Sequence, residues 1–389
     1  MRINLFGLIR GRFALLMRQT GLFSSIGRIV TSASLVFSIN SSKMAQKKVT
    51  IIGSGNWGSA IARIIGNTVV LHSTTFQTRV PMWMVDDKKL SEIINTEHIN
   101  VKYLPGKKLP ENIVADADIL VFVVPHQFVE KLCNQLKGNV KSSAVAVSLI
   151  KGLSGKSTSS KLRLISEDIS ETLGIDAAVL MGANLAPEVA NDNFCEATIG
   201  SKNLATAIEL KKLFHTDNFR INIVQDFQTV EICGALKNVV ACAAGFSDGL
   251  GYGDNTKAAI IRLGLMEMMR FIEYFYPNTR IKTFFESCGI ADLVTTCYGG
   301  RNRKVCEAFA KTKRPLYELE AELLKGQSAQ GPLTAAELYD VIKTRDLLKM
   351  FPLFEAVHNI CIGQVPVEEF IVKIRNHPEY EDRSNAEFH

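Results

Sequence analysis

Residues 49–66 read VTIIGSGNWGSAIARIIG. A short β-branched run enters the glycine loop GSGNWG, which opens into an alanine- and isoleucine-rich stretch of helical pattern. VTII is continuously apolar, as a strand buried on both faces of a parallel sheet is, and Asn56 to Ile65 reads as the helix that follows. GSGNWG fits G-x-G-x-x-G, a weak signal by itself because many strand–helix junctions carry glycines. Its place between a buried strand and a helix gives it meaning. The first glycine permits the turn, the second lets backbone approach a pyrophosphate, and the third lets helix pack closely on strand. Gly53, Ser54, Gly55, Asn56, Trp57 and Gly58 are therefore candidate dinucleotide contacts. Asp86 and Asp87 close the next strand, where carboxylates accept ribose hydroxyls and repel a 2′-phosphate, so NAD is expected rather than NADP. GLSGKST (152–158) is no P-loop: the glycine required ahead of its GK pair is Ile150.

Outward from the loop, strand patterns recur at 79–87 (RVPMWMVDD), 117–125 (ADILVFVVP), 144–152 (AVAVSLIKG), 177–184 (AAVLMGAN) and 219–224 (FRINIV), with helical stretches between them. That alternation predicts a Rossmann-type, doubly wound parallel sheet over residues 47–226. From 227 to 389 the pattern is helical, which predicts an all-α C-terminal domain. The stretch TKAAIIRLGLMEMMRFIEYFY is apolar nearly all round, as a core helix is. Charges every few residues argue against a membrane span.

The chain has 389 residues and a formal charge of +6, and two domains suit a length counted at ~100–200 residues each. Arg2, Arg10, Arg12, Arg18, Arg28 and Lys43 equal the whole excess, and no acid precedes Asp86. The rest is near neutral, so no basic stripe remains for nucleic acid. Residues 1–46 form an N-terminal extension, rich in Arg, Ser and Leu up to residue 43. Two readings of it stay open: a mitochondrial transit peptide, or an extension without an address ahead of a second start at Met44. Eight scattered cysteines without CxxC or Cys/His spacing point to reduced thiols and no metal site.

Polar residues in apolar or glycine-rich stretches mark the reacting centre: Lys151 in SLIKG, Lys237 and Asn238 in GALKNVVA, and the run GIADLVTTCYGGRNRK at 289–304. Lys151 follows a strand's carboxyl end, where open α/β sheets bind ligands. Lys237 lies on a helix among Ala, Val and Cys. It either reaches solvent or, desolvated and near a second cation, exchanges protons close to neutrality.

These residues carry a resemblance. GSGNWGSAIA, VVPHQF, SLIKG, MGAN, EICGALKNV, GLGYGDNTKAAIIRLGLMEM, ADLVTTCYGGRNRK and QGP, in this order between about Lys47 and Pro378, resemble the NAD-dependent glycerol-3-phosphate dehydrogenases of the soluble eukaryotic type. The resemblance implies interconversion of dihydroxyacetone phosphate and NADH with sn-glycerol 3-phosphate and NAD. It implies Lys237 as proton donor and acceptor, with Lys151, Asn238, Asp292 and Thr296 around the reacting carbonyl. It implies that Lys151, Arg301 and Asn302 hold the phosphorylated three-carbon substrate, and that Phe128, Ala186, Arg301 and Gln330 flank the cofactor. A cytosolic homodimer is the family's usual state.

The chain departs from the family pattern at four places. An acidic, glycine-containing insertion after VDD is missing, and Val85 stands where an aromatic residue is usual. NIVADADIL (112–120) lacks a short strand and helix, and Ser328 replaces a basic residue two before Gln330. The shortened stretch supports an alternative: a catalytically weak isoform that binds NAD(H) or dimerises with an active sister chain. A dehydrogenase of hydroxy-acids or coenzyme A esters is the enzymatic rival, and GGRN favours phosphate over it.

Overall fold

The computed structural model describes residues 46–83, 94, 96, 98–100, 104–108, 118–154, 163–324 and 327–380. Val85, Asp86, Asp87, residues 1–45 and the shortened stretch up to 117 lie outside the described residues. Lys47–His389 makes one compact unit by its contacts.

VTII forms β1 (Val49–Ile52), which turns through the glycine loop into α1 (Asn56–Leu71), longer than the sequence pattern predicts. The strands that follow are β2 (Met82–Trp83), β3 (Ile99–Asn100), β4 (Leu104–Lys108), β5 (Ile119–Phe122), β6 (Val145–Ser148), β7 (Asp176–Met181), β8 (Cys195–Gly200) and β9 (Phe219–Val224). Seven of them build one sheet in the order β2-β1-β5-β6-β7-β8-β9, and β3 pairs with β4 apart from it. Val49 pairs with Ile119 of β5 and Ile51 with Met82 of β2, so β1 is flanked on both sides. The chain reaches β2 on one side of β1 and then returns to β5 on the other. Such a reversal opens a crevice at the strands' carboxyl ends.

The sheet is wound on both faces. Val49, Ile51, Val121 and Val147 pack with α1 and α5 (Leu204–Phe214), while Ile52, Leu120, Phe122 and Ala146 pack with α2 (Val129–Leu136) and α3 (Ile165–Leu173). That alternation along each strand is the period-2 geometry of a sheet covered twice. The expectation of a wholly parallel sheet is corrected at one step: β7 and β8 run antiparallel, and β8 and β9 are parallel to each other. CEATIG was not legible as a strand because its apolar positions are few and an acid interrupts them.

The reversal has a consequence for the site. β9 ends at the sheet edge opposite the crevice, so the next helix must climb back along the sheet. Asp226 caps that helix by accepting the Thr229 N–H, and α6 runs Phe227–Gly249, buried without a break from Thr229 to Ser247. It is long and apolar enough to cross a membrane by composition, yet every residue of the qualifying window is buried inside the protein. Around it lie α7 (Asp254–Phe275), α8 (Asp292–Gly299), α9 (Arg301–Thr312), α10 (Leu316–Leu324), α11 (Gly331–Thr344), α12 (Pro352–Cys361) and α13 (Phe370–Arg375). The core helix is therefore α6, whereas α7, expected to be apolar all round, exposes Ala258, Arg262 and Tyr274. On its inner side Glu267, fully buried, accepts the Leu353 and Phe354 N–H groups and meets His377.

Gly264 lets α7 approach α6, because a Cβ there would lie 2.4 Å from Val240 Cγ1. Gly264→Val should cost about 1–3 kcal/mol by overpacking and lower the denaturant midpoint. An unchanged midpoint would show that the two helices part without loss.

Candidate active site

Four loops meet at the carboxyl ends of the parallel strands: the glycine loop after β1, the turn after β5 carrying His126–Phe128, the segment after β6 carrying Lys151, and the turn from β7 into α4 (Ala186–Ala190). In the first, Gly53 has φ +123°, and a Cβ there would lie 2.4 Å from the Val123 carbonyl. Gly58 would collide with the Gly53 carbonyl at 2.2 Å, so the third glycine seats α1 against its own turn. Gly55 has ordinary backbone angles and open space: a Cβ there would meet nothing within 4 Å among the described residues. It starts α1 without a side-chain cap and without an acid in the first turn. An open glycine before free first-turn N–H groups is the cradle that a pyrophosphate needs, so these residues fit a dinucleotide. Trp57 braces the helix edge-on against Phe219.

The reacting groups come from further along the chain. Lys237 stands on α6 with 3% of its surface exposed, and its Nζ donates to Asp292 Oδ1 and, at 2.8 Å, to Thr296 Oγ1. Lys151 Nζ donates to the other oxygen, Asp292 Oδ2, at 2.9 Å and to the Gly182 carbonyl at 3.2 Å. One buried carboxylate thus serves two ammonium groups. A single π-helical turn, Ser287–Ala291, runs straight into Asp292 and delivers its carboxylate to the lysines. Asp292 and Thr296 are one helical turn apart and share a face. Burial pushes the Lys237 pKa down to about 7, with Asp292 opposing and Lys151 adding to the fall.

Beside this group, Asn302 Nδ2 donates to Asn238 Oδ1 at 2.9 Å, and the Gly331 N–H donates to Asn302 Oδ1 at 2.8 Å. The side chain of Asn302 is thereby committed to tying α6, α9 and α11 together. Arg301 begins α9 after Gly300, with no side-chain cap and no acid in the first turn. Its guanidinium reaches Gln327 Oε1 at 3.1 Å. Gln330 donates to Ser328 Oγ at 2.5 Å, so the residue that departs from the family pattern engages the candidate cofactor glutamine.

The structure therefore joins Lys151, Lys237, Asp292 and Thr296 in one hydrogen-bonded group and Asn238 with Asn302 in a second. Phe128, 43% exposed, follows β5 and Ala186 follows β7, at the same end of the sheet as Lys151. Sequence reasoning passed over His126 and Glu337, buried or half-buried near Gln330; a histidine directly after a buried strand's proline was the available signal. Among the described residues no group of His, Cys, Asp or Glu could hold a metal ion.

A glycine loop that fits a pyrophosphate, on a doubly wound sheet, and a desolvated lysine on the helix that follows that sheet are the marks of a dinucleotide-dependent oxidoreductase. Family models agree: the N-terminus of NAD-dependent glycerol-3-phosphate dehydrogenase matches residues 48–207, and its C-terminus matches residues 226–372. The chain is 61% identical to the probable glycerol-3-phosphate dehydrogenase 2 of Caenorhabditis elegans, over 87% of this chain and 92% of that one. It is 58% identical to the cytoplasmic glycerol-3-phosphate dehydrogenase [NAD(+)] of Homo sapiens, over 87% of this chain and all of the human one. Among solved structures, glycerol-3-phosphate dehydrogenase of Saccharomyces cerevisiae superposes with a TM-score of 0.78 at 42% identity, covering 85% of this chain and 99% of that one. The chain belongs to the NAD-dependent glycerol-3-phosphate dehydrogenase family.

The glycine geometry separates two substitutions. Gly55→Ala should keep the melting temperature and lose NADH affinity, because its methyl occupies open space in the cradle. Gly58→Ala should lower the melting temperature as well, because its methyl meets backbone. Melting curves beside NADH titrations of both variants test this, and equal melting losses would refute it.

Proposed function

We propose that the chain interconverts dihydroxyacetone phosphate, NADH and a proton with sn-glycerol 3-phosphate and NAD, using Lys237 as proton donor and acceptor. The observation that carries this reading is the buried Lys237 ammonium, held by Asp292 and Thr296 with Lys151 on the carboxylate's far oxygen. Bound NADH supplies the hydride. Lys237 then has a double task at the substrate oxygen: its charge stabilises the developing alkoxide, and its proton neutralises it. Two ammonium groups around one carboxylate leave the centre net positive, which suits an oxygen that gains negative charge. Thr296 holds the Lys237 Nζ in direction, and Lys151 lowers the cost of giving up its proton.

The phosphate end falls to Arg301, whose planar fork grips two oxygens, and to the free first-turn N–H groups of α9. Asn302 contributes there through its backbone N–H, since its side chain is committed elsewhere. In this reading residues 47–226 carry the cofactor and 227–389 the substrate. Phe128, Ala186 and Gln330 line the cofactor side. A cytosolic location follows the human relative named as cytoplasmic, and the homodimer follows the family resemblance.

Lys237→Ala should reduce kcat about 10²–10⁴-fold, the usual range for a positioned acid–base group, with little change in NADH binding. Arg301→Ala should chiefly raise KM for dihydroxyacetone phosphate, because its partner is present in ground and transition states alike. Steady-state kinetics at saturating NADH distinguish the two, and near-normal kcat in Lys237→Ala would overturn its role.

The pH dependence has a defined sign. Ketone reduction needs the protonated amine, so its kcat/KM should fall as pH rises through about 7, the value burial imposes on Lys237. Oxidation of glycerol 3-phosphate needs the neutral amine and should rise over the same interval. Parallel pH profiles in both directions would contradict the assignment.

A further inference from the structure

Under the crevice lies a group of buried polar atoms that the reaction as derived does not use. His126 opens the turn after β5 and is 9% exposed. Among the described residues its Nδ1 has no hydrogen-bond partner, and its Nε2 stands 3.9 Å from Glu337 Oε1. Glu337 Oε2 is likewise buried without a partner, as are Gln330 Oε1 and Thr334 Oγ1. Residues 330, 334 and 337 are spaced i, i+4, i+7, which brings them to one face of α11 and its first turn. Buried polar atoms are nearly always paired, so several partnerless ones side by side call for an explanation.

The surroundings define how the group is tied to the cleft. His126 Nδ1 lies where a Cβ on Gly152 would be 3.1 Å away, so the imidazole packs under the backbone next to Lys151. The Val129 N–H donates to the His126 carbonyl, and the Phe128 N–H donates to that of Pro125, so His126 belongs to the same hydrogen-bonded turn that presents Phe128. On the other side Gln330 precedes α11, whose Thr334 N–H donates to the Gln330 carbonyl. The His126–Glu337 gap is about 1 Å beyond hydrogen-bond range. Desolvation pushes Glu337 up to about 7 and His126 down, with Gln330 opposing the latter. Burial thus drives both groups toward neutrality, where carboxyl and imidazole share one proton without an exposed charge.

We propose that His126 and Glu337 are a positioning pair for the cofactor side of the cleft, fastening the turn that presents Phe128 to the helix that begins after Gln330. The inference rests on the reading of Phe128 and Gln330 as cofactor residues. It assigns His126 and Glu337 no contact with the reacting atoms. When the pair closes, the two cofactor residues are held at a fixed separation, and NADH meets a formed wall rather than one it must assemble.

The test uses the full chain, with NADH affinity from fluorescence titration, kcat and KM at saturating co-substrate, and melting temperature. Glu337→Leu should weaken NADH binding about tenfold, the worth of one buried hydrogen bond, while kcat at saturating NADH stays near the parent's. Glu337→Gln, whose amide can bond the imidazole when the pair closes, should recover most of that loss. Unchanged NADH affinity in Glu337→Leu, or no recovery in Glu337→Gln, overturns the inference. If Glu337→Leu fails to fold, Glu337→Gln, His126→Asn and their double variant decide. Non-additive losses in NADH affinity support the pair, and additive losses refute it. Gln330→Ala is the control on the underlying reading. If it binds NADH normally, the cofactor assignment fails; if it binds weakly while Glu337→Leu binds normally, only the positioning pair fails.

Discussion

The structure depends on one carboxylate shared by two lysines. Asp292, with 3% of its side chain exposed, receives Lys237 on one oxygen and Lys151 on the other. Moving any of these charges out of water costs several kcal/mol, and only close, fully bonded geometry recovers it. The three residues come from a loop after β6, the middle of α6 and the start of α8, so the ion group also fixes how the sheet meets the helices. Removing the carboxylate would leave two cations facing each other near the base of the crevice. The charge count is part of the chemistry: the centre keeps one net positive charge in a site where substrate charge develops.

That arrangement constrains the fold around it. Lys237 is desolvated only because α6 is enclosed along nearly its whole length, and α6 reaches the crevice only because β8 and β9 reverse direction. A wholly parallel sheet would release the chain at the crevice edge and leave no room for the nearly three turns of helix before Lys237. Close approach is secured by small residues: a Cβ on Gly234, one turn before Lys237, would lie 2.8 Å from Met181 Sδ. The antiparallel step is therefore a condition of the reacting centre as well as a detail of topology.

Local features were legible in the sequence and distant ones were not. GSGNWG is read from neighbours within one turn, and the structure requires glycine at Gly53 by its positive φ and at Gly58 by the Gly53 carbonyl, while Gly55 stays open. The unusual polarity of Lys151, Lys237 and Asp292 in apolar or glycine-rich stretches could be noticed, but not that one carboxylate joins them, since that contact spans 55 residues from Lys237 and 141 from Lys151. The stretch that became α7 read as apolar nearly all round, yet it is α6 that the structure buries along its length. A helix's apolar fraction does not reveal whether neighbours enclose it, and the isolated charges of α6, Glu231 and Lys237, find buried partners in Ser166 and Asp292. The side-chain commitment of Asn302 to Asn238 and Gly331 was hidden for the same reason.

The two proposed anion positions follow a common rule of construction. α5 and α6 start with side chains that satisfy their first N–H groups: Asn203 accepts from Ala205 and Thr206, and Asp226 from Thr229. α1 and α9 start at Gly55 and Gly300, with no side-chain cap and no acid in the first turn. Each leaves orphan donors and the positive end of its helix dipole facing the crevice. A cap at either start would stabilise the empty protein and compete with the phosphate that is to bind there. With glycine at the cap position each helix forgoes only about a few tenths of a kcal/mol relative to a Ser, Thr, Asn or Asp cap, and an anion that supplies the missing acceptors offsets it. Under the proposed function, binding and folding are linked through the same N–H groups: the cofactor's pyrophosphate would complete α1, the substrate's phosphate would complete α9, and Asp292 holds Lys237 by one carboxylate oxygen and Lys151 by the other.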